Sequence, residues 1–410
     1  MSPCCVSHQG EGAKVSSNTE TFSSFFTGST FMLLMESSSV VIDIGSAWCK
    51  AGLAMENYPT LAVPSVVGYQ FYEEEVKVYS PNILKACPPK IRKVVGLEKM
   101  RELKEMPNQF AIDRGRVLNW DAMEDIWYYS FDYLGIKTKN HPVLITEFPR
   151  NDENYRQKTL EIMMETFNVP SLHIGNQAEL SLFGSGFLTG IVLDCGAGLT
   201  RIAPILGGQM IPEFTLIFEL GGLDISSLLY KSLTNRSGDL SNLVQREAME
   251  DLKEKLCYVS KNPHQKESSK SFTSSQQTFS VLPDGTIVSL TEKHLTYPDL
   301  LFNPSKFGLP GEELGLKIFS SAMSCDKNSK SIFSHVVLSG GSTLFDGFSE
   351  RLFLDLGRFR FASCPTEVVS RPNRIYLPWL GGSMFSCLST FMSCGITREK
   401  YHEAGAAALL

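Results

Sequence analysis

Hydrophobic positions fall unevenly along the chain, and their spacing divides it before any motif is considered. Residues 1–38 are rich in Ser, Thr and Gly and show neither period-2 nor period-3.6 patterning, so a flexible tail is expected there. Val40-Val41-Ile42 opens a β-rich stretch in which Gly45 and a polar turn lead to Leu53, which predicts two strands joined by a tight hairpin. From Asn119 onward Met123, Ile126, Trp127, Phe131 and Leu134 recur at helical spacing, with Asp121 and Glu124 suited to the positive end of a helix. Pro142-Val143-Leu144-Ile145 predicts a short buried strand, and Leu160, Met163, Met164 and Phe167 supply the next helical face. A second hairpin is expected from Gly190 to Pro204, and a charged helix from about Leu243 to Val259 with Leu252, Leu256 and Val259 on one face. A polar loop over 260–278 and a turn at Leu282-Pro283-Asp284-Gly285 precede the buried strand His335-Val336-Val337-Leu338, which runs into Gly340-Gly341. Gly405 to Leu410 is featureless by pattern. Strand and helix alternate, which predicts an α/β protein.

Size changes this picture by dividing it: 410 residues exceed what one growing core accommodates, so two or three lobes are expected. With 43% hydrophobic and 20% charged residues the chain can fill those cores. A net charge of -6 without a Lys/Arg-rich run argues against direct nucleic-acid binding. The ten cysteines include no Cys-x-x-Cys pair, so they read as reduced thiols and not as a zinc site. Phe31-Met32-Leu33-Leu34-Met35 is too short for a secretory core, and no window reaches the length of a membrane span. An intracellular protein is expected, and the glycosylation pattern Asn235-Arg236-Ser237 is then a chance match.

The chemistry lies in an internal echo. Ile42-Asp43-Ile44-Gly45-Ser46 and Leu193-Asp194-Cys195-Gly196-Ala197-Gly198 share an apolar strand, an Asp at its end and a Gly-rich turn, and the Asp residues lie 194 − 43 = 151 positions apart. A single strand-Asp-Gly turn is a common hairpin; two facing ones make a clamp. Glycine lets backbone N–H groups approach an anion closely, Ser46 and Thr200 add hydroxyl donors, and Lys50 supplies a point charge. Asp43 and Asp194 are candidates to hold Mg²⁺ through water, since that ion takes one or two carboxylates and keeps most of its shell. Leu338-Ser339-Gly340-Gly341-Ser342-Thr343 adds a third Gly turn, open to an adenosine.

These pieces resemble the actin family, and the likeness extends along the chain in family order. It is carried by Lys50-Ala51-Gly52-Leu53-Ala54, Asn119-Trp120-Asp121, His141-Pro142-Val143-Leu144-Ile145-Thr146-Glu147 and Glu165-Thr166-Phe167-Asn168-Val169-Pro170. Lys253-Glu254-Lys255-Leu256-Cys257-Tyr258-Val259, Val337-Leu338-Ser339-Gly340-Gly341 and Trp379-Leu380-Gly381-Gly382-Ser383 continue it, over roughly residues 40–403. The resemblance implies the actin-like ATPase fold shared with hexokinase and the heat-shock chaperones: two lobes, each with a mixed five-stranded sheet flanked by helices, and a nucleotide cleft between them. Its implied divisions are a 1–38 extension, a first lobe over 39–176 with a small subdomain at about 69–105, a second lobe over 177–372, and a return to the first lobe over 373–410. ATP or ADP with Mg²⁺ is the implied ligand. Asp43, Gly45, Ser46 and Lys50 match the first phosphate loop, Asp194, Gly196, Gly198 and Thr200 the second, and Lys253, Glu254, Gly340, Gly341, Leu344 and Phe345 the nucleoside pocket. Gln177 falls where the family positions the attacking water; its other reading is a helix hydrogen bond.

Departures from the family are concentrated in the cleft. Family members carry Gly at Ala47, Asp at Ala197, His at Arg201, Arg at Glu250 and Lys at Ile375. An imidazole can take a proton from water, whereas a guanidinium with a pKa above about 12 cannot. Two readings follow: a member that uses only the fold, or a nucleotide lock in which Arg201 holds a terminal phosphate. Assembly surfaces are altered too, with Glu73, Glu74 and Glu75 in the subunit-contacting loop, Glu312 and Glu313 among Leu309, Leu314 and Leu316 of the hydrophobic plug, and Arg114 in place of a His. The expectation is a divergent actin-related protein, most similar to the testis-type actin-like proteins. It would act as a cytoskeletal or scaffold component of the cytoplasm or nucleus, with other actin-family proteins as partners and with weak or absent hydrolysis. The alternatives are an active ATP-hydrolysing actin and a nuclear actin-related subunit of a chromatin complex.

Overall fold

A computed structural model describes residues 38–72, 90–96, 98, 100, 107–148, 153–234, 243–261, 278–283, 285–325, 328–359 and 365–409. The expected tail, the acidic run Glu73 to Glu75, the Asn235-Arg236-Ser237 match, nearly all of the 260–278 loop and Asp284 lie outside those residues.

Two mixed sheets repeat one plan. In the first, Val40–Ile44 pairs antiparallel with Trp48–Leu53, which pairs with Leu61–Pro64; on its other side Val40–Ile44 runs parallel to Val143–Glu147, itself parallel to Ser171–Asn176. In the second, Gly190–Cys195 pairs antiparallel with Thr200–Leu206 and parallel with His335–Ser339, which is parallel to Glu367–Val369. The central strands are continuous apolar runs because both faces are covered. Among the described residues each sheet has six strands where the resemblance implied five. The sixth is the short Ile396–Thr397 on Ser171–Leu172 in the first, while in the second Gln209–Met210 and Leu216–Phe218 share the edge of Thr200–Leu206.

The predicted helix after Asn119 forms as Trp120–Tyr133, with the Asn119 side chain accepting from the Ala122 N–H and Met123, Ile126, Trp127 and Phe131 in the first core. The face beginning at Leu160 continues from the helix Glu153–Glu161 into a wider π-turn, Ile162–Thr166, which turns both Met163 and Met164 inward. The charged helix ends at Leu256, short of Val259, which is buried outside it. Gly405 to Leu409 is not featureless: it forms a 3-10 turn with Ala408 buried and Leu409 against the first core. The apolar pair at the chain end finds a surface that no periodicity announced.

The helices Gln177–Gly184 and Leu377–Ser386 cross at glycine. A Cβ on Gly381 would overlap the Leu180 carbonyl oxygen, and one on Gly184 would lie 2.9 Å from the Gly381 nitrogen. Trp379 locks this crossing to the first sheet by donating its indole N–H to the Val41 carbonyl at 3.0 Å. Gln177 therefore enters the space between the two hairpins from a rigidly held helix.

Candidate functional site

The two hairpins close identically. Gly45 donates to the Trp48 carbonyl at 2.9 Å and Gly196 to the Leu199 carbonyl at 2.9 Å. Their registers set Asp43 opposite Lys50 and Asp194 opposite Arg201, so the cations are also 201 − 50 = 151 positions apart. Cross-strand placement makes each Asp the neighbour of its cation: Lys50 Nζ lies 3.2 Å from Asp43 Oδ2, and Arg201 Nη2 lies 3.1 Å from Asp194 Oδ2. Spacing revealed the paired carboxylates; the paired cations became visible only with the register.

Around Asp43 the polar demand is met. Thr146 donates its hydroxyl to Oδ1 at 2.9 Å, Gln177 donates its amide to the same oxygen at 3.0 Å, and Lys50 also donates to the Ile375 carbonyl at 2.7 Å. The Gln177 amide further donates to the Ile44 carbonyl at 2.8 Å, so this side chain is fastened to the first hairpin. Around Asp194 the balance differs. Oδ2 takes Arg201, and Oδ1 lies against Gly340, whose backbone has φ +85° and where a Cβ would come within 2.6 Å of that oxygen. Arg201 is fully buried, and its Nε and Nη1 have no hydrogen-bond partner among the described residues. Burial pulls its pKa down, while Asp194, then Asp43 and Glu179, pull it up.

The other predicted residues divide between the turns and the third Gly turn. Ser46 accepts from the Gly115 N–H at 3.2 Å and retains its own proton for donation. Thr200 does not offer a donor, because its hydroxyl already donates to the Leu220 carbonyl at 2.8 Å. Gly198 packs against Ser46 and Arg114, where a Cβ would lie 3.0 Å from each, so the two hairpin turns approach one another. Lys253 is buried and tied to the Gly222 carbonyl at 3.1 Å, to Ser226 at 3.0 Å and to Glu250. Burial raises the pKa of Glu254, against the pull of Lys253. Ser342 donates to the Gly196 carbonyl at 2.8 Å, joining the third turn to the second hairpin, and Gly341 faces the Ile375 side chain. Phe345 is buried, whereas Leu344 is 42% exposed and stands away from that core.

One participant had been placed only among the assembly surfaces. Arg114, with φ +44°, forks onto Asp224 at 2.7 and 3.2 Å and donates to the Gly198 and Glu219 carbonyls at 3.1 and 2.8 Å. Its pKa is raised, chiefly by that bond to Asp224. It straps the hairpin Ile112–Val117 to the second Gly turn, a contact between positions 110 apart that no local pattern signals.

A family model described as Actin matches residues 34–409. The chain belongs to the actin family. Its mixed sheets and helices have the actin-like α/β fold, and no helix among the described residues is long and apolar enough to cross a membrane. Actin-family proteins generally bind ATP or ADP with a divalent metal, so fit to each can be asked of this cleft. A phosphate chain fits the donors at hand: the glycine turns approach one another, Ser46 keeps its hydroxyl proton, and beside Asp194 two guanidinium nitrogens of Arg201 lack a partner among the described residues. A divalent ion does not. Three of the four oxygens of Asp43 and Asp194 already accept hydrogen bonds, and each carboxylate is already paired with a cation of the chain, Lys50 or Arg201.

Proposed function

We propose that this actin-family chain is a divergent scaffold or cytoskeletal component that holds ATP or ADP between its two hairpins and hydrolyses it slowly or not at all. The observation that carries the reading is Arg201, buried beside Asp194 at the position where the family has His. Hydrolysis requires a water oxygen to bond to the terminal phosphorus as the bridging P–O bond breaks, and a group must accept the water's proton. A guanidinium held against a carboxylate is a donor only. The Gln177 amide is committed to the first hairpin, which leaves positioning of water to its carbonyl. Slow turnover suits a protein whose nucleotide has a structural role.

The same reading takes 39–176 and 177–372 as the two lobes and 373–410 as the return segment. It places the protein in the cytoplasm and cytoskeleton, likens it to the testis-type actin-like proteins, and gives it other actin-family chains as partners. Weak self-polymerisation follows from the plug loop, where exposed Leu309 stands beside Glu312 and Leu314 is withdrawn into the core. Pelleting at ordinary actin efficiency under polymerising salt would reject that part.

The test of the catalytic part is single-turnover phosphate release from wild type and Arg201→His, after nucleotide occupancy is confirmed for both. Restoring a proton acceptor is expected to raise the rate about a hundredfold, the lower end of general-base contributions. Slower release by Arg201→His would reject the reading and make Arg201 catalytic, as arginine fingers are.

A further inference from the structure

The cleft carries its own positive charge where a metal would be wanted. Asp43 and Asp194 are the carboxylates available to a divalent ion between the hairpins, and Lys50 and Arg201 neutralise them one for one. Thr146 and Gln177 occupy Asp43 Oδ1, and Arg201 occupies Asp194 Oδ2. An incoming dication would have to displace those partners and stand beside a guanidinium that cannot move aside, since Arg201 is fully buried.

Arg201 is at the same time the hairpin cation whose buried nitrogens lack a partner among the described residues. A buried N–H without a partner costs on the order of 1–3 kcal/mol, so Nε and Nη1 mark a place where an acceptor is missing. Asp43 and Glu179 also act electrostatically on the same guanidinium, which is bonded to Asp194. A guanidinium with unpaired N–H groups on two nitrogens can donate to phosphate oxygens in charge-assisted bonds.

We propose that Arg201 serves the terminal phosphate as the cation that a divalent metal supplies elsewhere in the family, so that this chain binds ATP without metal. The inference rests on the nucleotide reading above, and it concerns the charge that accompanies the nucleotide, not its turnover. Full burial of the guanidinium adds a consequence: an anion reaches it only when the cleft opens, so binding and release are both slow.

The experiment is isothermal titration of the full wild-type chain with ATP in magnesium buffer and in EDTA, with the thermal midpoint followed alongside. The dissociation constants are expected to agree within about threefold, which is less than one charge-assisted hydrogen bond is worth. Arg201→His should then lose about tenfold or more of its affinity in EDTA and depend on magnesium. The wild-type comparison decides the matter even if that variant does not fold. Binding in magnesium alone would overturn this inference and leave the nucleotide reading standing. No binding in either buffer would overturn both.

Discussion

The first hairpin satisfies itself and the second does not. Both have the same closing hydrogen bond, the same Asp-to-cation register and a cation about 3 Å from its carboxylate. Yet Asp43 collects a hydroxyl, an amide and an ammonium, and Lys50 has the Ile375 carbonyl as a further acceptor. Asp194 accepts from Arg201 alone among the described residues, and that guanidinium keeps two donors unpaired. Repetition of a backbone therefore does not repeat a function. Where a duplicated element is saturated it reads as scaffold, and where its copy holds unspent donors it reads as the place for a ligand.

The largest expected effect separates the two cations. Arg201→Leu strands a mostly buried Asp194 and should cost about 3–5 kcal/mol of stability. Lys50→Met leaves Asp43 with its hydroxyl and amide donors and should cost about 1–2 kcal/mol. Urea unfolding of both variants without nucleotide measures this, and equal losses would break the distinction.

A smaller effect separates the two Gly turns. A Cβ on Gly45 would lie 3.0 Å from the Trp48 backbone oxygen, so Gly45→Ala should cost about 1 kcal/mol through a shift of the turn. On Gly196 the nearest atom is the Leu199 oxygen at 3.5 Å, an ordinary contact, and Gly196→Ala should change stability by under about 0.5 kcal/mol. Thermal midpoints of the two variants decide it, and a costlier Gly196→Ala would mean that the second turn is as tightly packed as the first.

Much of this comparison was legible in the sequence because it is local. Alternating and continuous apolar runs mark the hairpin strands, the 151-residue echo marks their equivalence, and the cap Asn119 marks a helix start. What escaped depends on contacts between distant positions. Thr200 reads as a phosphate donor until Leu220 takes its hydroxyl, and Gln177 has its amide nitrogen taken by Asp43 and Ile44, which leaves its carbonyl. Arg114 looked like a changed assembly surface, yet it bridges to Asp224 and Gly198. The same holds for Arg201: the substitution was plain, but its complete burial and spare donors follow from packing by the rest of the second sheet.

The most direct measurement is the identity of the nucleotide that the chain retains. The full-length protein is loaded with ATP, freed of excess, kept overnight in magnesium buffer, and extracted with acid for chromatography. ATP is expected to remain bound in stoichiometric amount, because Arg201 grips the phosphate without accepting a proton. Bound ADP in its place would contradict slow hydrolysis, and an empty protein would contradict nucleotide binding.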